Sequence, residues 1–157
     1  MKITLLLVGK TEEKYLREGI EKYAKRIKHY VKLELHEIPE LKNTKNLTIE
    51  QQKTKEAEMI LKFTSPADHV VLLDERGEEF TSSQFSGFIS KKMISGIQNL
   101  VFIVGGPYGF DHSLYQLASH KIALSRMTFS HQMVRLFFIE QLYRAFTILK
   151  GEPYHHE

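Results

Sequence analysis

Three short, continuous apolar segments constrain the fold of this chain more than any other feature. They read "ITLLLVG" at residues 3–9, "HVVLLD" at 69–74 and "LVFIVGG" at 100–106. A strand with apolar side chains on both faces needs cover on both faces, as in a parallel sheet between two layers of helices. Segments with helical spacing separate these strands, at about 12–29, 48–63 and 82–97. The sequence therefore predicts an α/β domain with three layers, α/β/α, around a mostly parallel sheet.

The remaining pattern is consistent with a single domain over residues 1–157. "VKLELHEI" at 31–38 alternates as a half-buried strand does, and "ERGEEF" at 75–80 is interpreted as a turn. No internal repeat, low-complexity tract or long linker divides the chain. The last elements are a short helix at 111–120, a short strand at 121–125 and a long helix at about 130–150, which Gly151 and Pro153 end.

Positive charge is concentrated at the two ends of the chain. The formal net charge is +3, but residues 1–32 carry a net +5 and residues 121–150 a net +4, whereas residues 33–120 carry a net −4. If the two ends meet in space, they form a basic surface suited to a polyanion, with nucleic acid the first candidate. The alternative is an ordinary solvated helix face, because the first helix also contains four glutamates.

Composition also limits the compartment and the cofactors. The chain has no cysteine, which excludes disulfides and thiolate metal sites. Its N-terminal apolar run is too short for a signal peptide or a membrane span, so we expect a soluble cytoplasmic protein that does not enter a membrane. The eight histidines lack zinc-binding spacing. Because the acidic group of Asp74, Glu75, Glu78 and Glu79 is more simply a solvated turn than a metal site, no metal is expected.

Three segments at the ends of strands are candidates for a ligand site. They are Leu73-Asp74-Glu75, "GGPYGF" at 105–110 and "LSRMTFS" at 124–130. In open parallel sheets, ligands bind at the carboxyl ends of the strands, and glycines let the backbone approach them closely. "GGPYG" lacks the spacing of a dinucleotide fingerprint, and the chain contains no phosphate-binding loop. A plain turn is the alternative interpretation of this glycine-rich segment.

The long C-terminal helix is apolar on nearly every side between Met133 and Leu149. An amphipathic helix on one sheet face needs only one apolar stripe, so this pattern predicts a second partner surface, most simply that of a homodimer. Glu140 and Arg144 are four residues apart, in the order that favours an ion pair. This pair has two interpretations: a satisfied structural salt bridge, or a guanidinium aimed at an anionic or amide-rich substrate.

Several motifs in this order closely resemble the ribosomal RNA large-subunit methyltransferase H family. They are "VGK", "LLDERGEEFTS", "FIVGGPYGF" and "LSRMTFSHQMVRLFFIEQLYRAFTILKGEPYHH", and together they extend over essentially the whole chain. These small SPOUT-class enzymes transfer a methyl group from S-adenosylmethionine to N3 of a pseudouridine in the helix 69 loop of 23S rRNA. The resemblance implies the same activity here, in assembled ribosomes, and an α/β fold with a C-terminal trefoil knot.

The resemblance also implies roles for individual residues. The basic first helix, with Lys22, Lys25, Arg26 and Lys28, would contact the rRNA backbone. Ser130 stands where the family commonly has proline, which we expect to loosen the start of the long helix. The implied catalytic residues are Arg144, Glu140, His155, Tyr154 and His131. The implied cofactor-binding residues are Leu73, Gly105, Gly106, Leu124, Ser125, Arg126, Met127, Thr128 and Phe129.

In this interpretation the C-terminal "GEPYHHE" is part of a site. Tyr154 and His155 would close over the target nucleotide, with His155 or His131 as the proton acceptor. The tail would reach a methyl-transfer site, either that of its own subunit or that of the partner subunit, which we favour. Three other functions are consistent with the sequence: a tRNA methyltransferase of the same fold, a non-catalytic RNA-binding module, and a nucleotide-binding regulatory dimer. Binding of S-adenosylmethionine would separate the methyltransferases from the module.

Overall fold

The computed structural model describes residues 1–156, which form five strands and five α-helices. The strands are β1 (Lys2–Val8), β2 (Lys32–Ile38), β3 (His69–Glu79), β4 (Asn99–Val104) and β5 (His120–Ala123). The helices are α1 (Lys14–Ile27), α2 (Ile49–Leu61), α3 (Ser82–Ile94), α4 (His112–Leu117) and α5 (His131–Leu149). The strands form one sheet in the order β2-β1-β4-β3-β5, and every neighbouring pair is parallel. The predicted parallel α/β architecture is therefore confirmed.

The apolar side chains of the central strands divide into two cores, one on each face of the sheet. Leu5 of β1 and Phe102 of β4 face a core that α1, α3 and α5 cover. Leu6 and Ile103, the next residue of each strand, face a smaller core that α2 and α4 cover. Successive side chains of a strand point to opposite faces, so continuous apolar strands are what a sheet with both faces covered requires. Within residues 1–156, no helix is long and apolar enough to cross a membrane.

Strand β3 extends beyond the predicted boundary, and the interpretation of "ERGEEF" as a turn is wrong. Leu73 and Glu78 both align with Ile122 of β5, so the residues between them bulge out before pairing resumes. A Cβ atom on Gly77 would lie 2.6 Å from the backbone nitrogen of Ile122. Glycine therefore allows the polar end of β3 to lie against β5. Because this segment is rich in charged residues, the sequence does not indicate that it pairs as a strand.

Helix α5 lies between α1 and α3 on one face of the sheet. The expectation of a partner subunit assumed that the sheet alone would cover this helix, but two neighbouring helices cover it as well. Phe137 and Leu149 remain 39% and 37% exposed. The apolar sequence of α5 is therefore largely explained within one chain, and the homodimer stays a prediction that needs other support.

The N-terminus of α5 is capped rather than loosened. The Ser130 hydroxyl accepts a hydrogen bond of 3.2 Å from the Met133 amide, a standard helix cap that proline could not make.

The fully buried Arg135, in the first turns of α5, donates to the carbonyl oxygen of Val8 at 2.6 Å and to that of Gly9 at 2.9 Å. Burial lowers the pKa of Arg135. These bonds attach the start of α5 to the loop after β1, at the carboxyl edge of the sheet.

Candidate active site

A cavity of about 290 Å³ opens at the carboxyl edge of the sheet, between the three strand-end segments singled out in the sequence. We call it the donor cavity, because the resemblance predicts that the methyl donor binds there. Arg126 is the one predicted cofactor-binding residue outside its lining: its side chain is 88% exposed, and its Nε atom lies 3.4 Å from Glu79 Oε1. The other eight line the cavity: Leu73, Gly105, Gly106, Leu124, Ser125, Met127, Thr128 and Phe129.

Two carboxylates give the donor cavity a negative wall. Both oxygens of Asp74 are engaged, because Oδ2 accepts from the Tyr115 hydroxyl and Oδ1 accepts from the Arg76 amide at 2.8 Å. Burial and the adjacent Asp74 raise the pKa of Tyr115 to about 12, so this phenol stays a hydrogen-bond donor at neutral pH. The neighbouring Glu75 accepts from the Thr128 hydroxyl at 3.1 Å. A ligand with positive charge suits this wall better than an anion does.

Glycines form the opposite wall, where the backbone comes close to its neighbours. A Cβ atom on Gly105 would lie 2.9 Å from the Phe110 ring, and one on Gly106 would lie 3.0 Å from the Glu56 carboxylate. Burial raises the pKa of Glu56, which accepts from the Gly106 amide at 3.4 Å. Gly109 has φ +80° and donates back to the Gly106 carbonyl. The segment is thus a turn, as one interpretation held, and it also lines the cavity.

A second cavity of about 370 Å³ adjoins the first. The linings of the two cavities share Leu124, Ser125 and Phe129, so the cavities are neighbours. The lining of the second cavity is mainly apolar and includes five phenylalanines, and its polar residues include Glu140 and Gln141 of α5. It therefore connects the donor cavity with the middle of α5.

Glu140 is the centre of a hydrogen-bonded cluster that includes three of the other predicted catalytic residues. Its Oε1 atom accepts from Arg144 at 2.6 Å and from the Tyr154 hydroxyl at 2.9 Å. Arg144 also donates to His155 Nδ1 at 3.1 Å. The hydrogen bond to Glu140 raises the pKa of Arg144, whereas burial and the bonds to Tyr23 and Glu140 raise that of Tyr154. We call Glu140, Arg144, Tyr154 and His155 the tail cluster.

The C-terminal tail is fixed to its own subunit. Because Tyr154 donates to Glu140, the 3.4 Å contact between the Tyr23 and Tyr154 hydroxyls has Tyr23 as its donor. Tyr30 donates to the Glu152 carboxylate at 2.6 Å, and this bond raises the pKa of Tyr30 to about 12. Tyr23 of α1 and Tyr30, just after α1, thus tie the tail to the first helical segment.

Within one subunit, the tail cluster and the donor cavity are separate. Arg144, Tyr154 and His155 line neither cavity, and Glu140 alone reaches the second one. His131, the fifth predicted catalytic residue, lines the donor cavity at the start of α5. Thirteen residues of helix separate His131 from Arg144, a rise of about 20 Å. One chain therefore carries both halves of the predicted site but does not bring them together.

Sequence reasoning assigned no role to two residues that orient the site. Gln141 donates to Glu140 Oε2 at 3.1 Å and accepts from the Ser82 hydroxyl at 2.8 Å, so it links the tail cluster to α3. The sequence predicts only that Tyr115 belongs to a short helix. The sequence near each residue does not indicate its role. Tyr115 bonds to Asp74, 41 positions away, and Gln141 bonds to Ser82, 59 positions away, as well as to the adjacent Glu140. Within residues 1–156, no three His, Cys, Asp or Glu side chains are grouped to hold a metal ion.

Comparison with known proteins identifies a family whose model covers almost the whole chain. A family model described as "Predicted SPOUT methyltransferase" matches residues 1–155. A protein of Parabacteroides distasonis named "Ribosomal RNA large subunit methyltransferase H" is 58% identical over 157 residues, 100% of both chains. Proteins of the same name from Christiangramia forsetii and Phocaeicola vulgatus are 57% and 58% identical, over 99% and 100% of both chains respectively.

Proposed function

The chain belongs to the SPOUT methyltransferase family, and we propose that it methylates the ribosomal RNA of the large subunit with S-adenosylmethionine as the methyl donor. The family brings with it the α/β fold with a C-terminal trefoil knot. The proposed acceptor is N3 of a pseudouridine in the helix 69 loop of 23S rRNA, in assembled ribosomes in the cytoplasm. The observation that carries the proposal is the meeting of three strand-end segments in one cavity, in a chain with full-length relatives named for this activity.

The lining of the donor cavity fits S-adenosylmethionine. Its carboxylate wall of Asp74 and Glu75 suits a ligand that carries a sulfonium and an ammonium group. Gly105 and Gly106 leave the backbone accessible to a bound molecule, while Leu73 and Leu124 add apolar surface for its carbon skeleton. When bound, this donor would supply an electrophilic methyl group: a bond from the acceptor nitrogen to that methyl forms as the bond to sulfur breaks.

The acceptor is an imide nitrogen, which must lose its proton before or during methyl transfer. A fixed positive charge near the base stabilises the negative charge that develops on it. Arg144, held at 2.6 Å by Glu140, is the proposed source of this charge. Arginine is a suitable residue because its guanidinium stays protonated at physiological pH and presents several donors in one plane.

The two histidines receive different proposed roles. Because arginine can only donate, His155 Nδ1 accepts the hydrogen bond from Arg144, and the neutral ring then carries its proton on Nε2. We assign His155 to holding the Arg144 guanidinium at the target base. His131 lines the donor cavity and is the proposed acceptor of the N3 proton. Tyr154, whose ring lies under Arg144 at 4.8 Å, orients the guanidinium.

The proposed enzyme is a homodimer in which the tail cluster of one subunit completes the donor cavity of the other. Its main support is the spacing of His131 and Arg144, which lie about 20 Å apart along the axis of α5. One subunit therefore does not bring both residues to the same ligand. Met127 and Phe129 at the donor cavity are 75% and 36% exposed. Together with Phe137, which packs against Phe129 at 4.9 Å between ring centroids, they offer an apolar surface to a partner.

Contact with the rRNA backbone is assigned to α1. Lys22, Lys25, Arg26 and Lys28 are exposed there, and α1 packs against α5, the helix that carries the tail cluster. Each phosphate contact that is lost should weaken binding and reduce its salt dependence. An unchanged salt dependence after replacement of these residues would contradict the assignment.

The test is mass mapping of helix 69 in ribosomes from a strain that lacks this protein, before and after incubation with the purified chain and S-adenosylmethionine. A gain of one methyl group at N3 of the pseudouridine is expected. Methylation of tRNA instead would favour the tRNA enzyme. Calorimetry completes the test, since no affinity for S-adenosylmethionine would favour the RNA-binding module, and preference for nucleotides would favour the regulatory dimer.

A further inference from the structure

Arg26 differs from the three lysines around it because it is held against aromatic rings. Its Cζ atom lies 5.6 Å from the ring centroid of Tyr143 and 5.9 Å from that of Tyr23. Cation–π contacts of this kind involve the face of the guanidinium and leave its N–H edges available. The exposed lysines at 22, 25 and 28 make no ring contact within residues 1–156.

The charge of Arg26 is not neutralised by the described part of the protein. Within residues 1–156, no carboxylate lies within 4.0 Å of its guanidinium, and the side chain donates no hydrogen bond. The carboxylates that bind Tyr154 and Tyr30 are themselves paired: Glu140 is bonded to Arg144 and Tyr154, and Glu152 accepts from Tyr30. An exposed guanidinium that is fixed in orientation and lacks an internal anion is suited to an external one.

The ring that holds Arg26 also contacts the tail cluster. The rings of Tyr143 and Tyr154 are 4.7 Å apart at 70°, and Tyr154 lies under the guanidinium of Arg144. Three consecutive ring contacts therefore join Arg26 to Arg144. Of the four basic residues assigned to the RNA backbone, Arg26 is the one that has such a connection to the proposed active site within the described residues 1–156.

We propose that Arg26 is a positioning residue for the RNA substrate. It binds a phosphodiester of the unpaired RNA next to the target nucleotide and so holds that nucleotide in register with Arg144 and His155. Bases that are modified chemically must leave their stack, which requires unpaired or extruded nucleotides and a fixed grip on the adjoining backbone. The inference rests on the proposed function, since it specifies how the RNA is held at the same site.

Arg26→Lys tests this proposal because it keeps the positive charge and removes the planar guanidinium. The matched control is Lys25→Ala, which removes a charge one residue away without affecting a ring contact. Rates of methyl transfer to unmodified ribosomes would be measured over a range of ribosome and salt concentrations. We expect Arg26→Lys to lower the saturating rate about tenfold, the effect of about 1.4 kcal/mol in the transition state. Lys25→Ala, at a residue also assigned to the RNA backbone, should act through KM and its salt dependence.

A second pair of variants tests the ring contact itself. Tyr143→Phe keeps the ring face and should behave as the wild type, whereas Tyr143→Leu should reduce the saturating rate as Arg26→Lys does. Thermal unfolding and calorimetry with S-adenosylmethionine accompany each variant, and unchanged donor affinity is expected. A wild-type rate for Arg26→Lys, a salt-dependent KM effect like that of Lys25→Ala, or weaker donor binding would overturn the proposal. Failure of the wild-type chain to methylate ribosomes would instead refute the proposed function.

Discussion

The Tyr154 hydroxyl donates a hydrogen bond of 2.9 Å to Glu140, a residue fourteen positions earlier on α5. The same carboxylate oxygen accepts from Arg144. This relationship turns the C-terminal tail into a structured part of the molecule, because the residue that orients the guanidinium also fixes the tail. The proposed contribution of the tail to the reaction therefore depends on one carboxylate.

Replacement of Glu140 by glutamine should therefore reduce catalysis without affecting the donor. The amide keeps the size of the side chain but loses the charge that holds Arg144 and Tyr154, so we expect the saturating rate on ribosomes to fall at least about tenfold. Affinity for S-adenosylmethionine, measured by calorimetry, should stay unchanged because Glu140 does not line the donor cavity. Glu18→Gln, at an exposed ion pair with Lys14, is the control. Weaker donor binding in Glu140→Gln alone would contradict this assignment.

Truncation after Pro153 should abolish methylation and leave a folded protein. The variant loses Tyr154 and His155 but retains the bond from Tyr30 to Glu152 and all five helices. Circular dichroism, thermal unfolding and donor calorimetry would establish that the fold and the donor cavity persist. Normal methylation of ribosomes by the truncated chain would show that the tail has no part in the reaction.

Subunit mixing determines whether the tail acts across the dimer. Gly105→Val should remove donor binding, and the truncated chain lacks the tail, so each is expected to be inactive alone. If the tail acts on the partner, random mixing should restore about a quarter of the wild-type activity, because about half of the dimers are mixed and each contains one complete site. A tail that acts within its own subunit would give no activity in the mixture.

Gly105→Ala should weaken donor binding specifically. The added Cβ would lie 2.9 Å from the Phe110 ring, so either the ring or the loop must shift and change the cavity. We expect at least about a tenfold loss of affinity for S-adenosylmethionine, equivalent to about 1.4 kcal/mol. Gly87→Ala in α3 is the control, since a Cβ there meets no atom within 4 Å. Equal donor affinity in the two variants would contradict the role of this wall.

Stability should fall in mild acid because of two histidines at the amino ends of β3 and β5. The rings of His69 and His120 are 5.6 Å apart, and His120 accepts from Lys92 at 3.0 Å. Burial, with Lys92 nearby, lowers the pKa of both histidines below the ordinary histidine value of about 6.5, and Glu78 partly offsets this for His120. The folded state thus binds fewer protons than the unfolded state, so stability is lost as pH falls through 6.5 towards the folded pKa values.

Urea unfolding between about pH 7.5 and pH 5.5 measures this dependence. His120→Gln keeps an acceptor for Lys92 but does not titrate, so its free energy of unfolding should vary less with pH than that of the wild type. Equal slopes for the two proteins would refute the contribution of this pair.

Ser130→Ala should destabilise the protein by about 1 kcal/mol, the usual effect of losing a helix cap. Ser130→Asp keeps an oxygen that can accept from the Met133 amide and adds a negative charge at the helix N-terminus, so it should be at least as stable as the wild type. Chemical denaturation gives both values. A wild-type stability for Ser130→Ala would mean that this cap does not hold the start of α5.

Much of the fold could be predicted because its signals are local. Continuous apolar runs determine strands with both faces covered, and parallel strands place their carboxyl ends at one edge, which is why eight of the nine predicted cofactor-binding residues line one cavity. Arg126 was the exception, since nothing in "SRMTF" indicates which side chain of the loop points away. The polar end of β3 was missed because its pairing with β5 depends on a close approach at Gly77.

By itself, the sequence determined the order of the elements, the parallel sheet and the three loops, all of which follow from short-range patterns of apolar residues and glycine. Only the tertiary structure decided which polar groups meet. The bonds of Tyr154 to Glu140, Gln141 to Ser82 and Arg135 to the loop after β1 join residues 14, 59 and more than 120 positions apart. Such partners are chosen by packing, because a buried polar group must find a hydrogen bond wherever the fold places one.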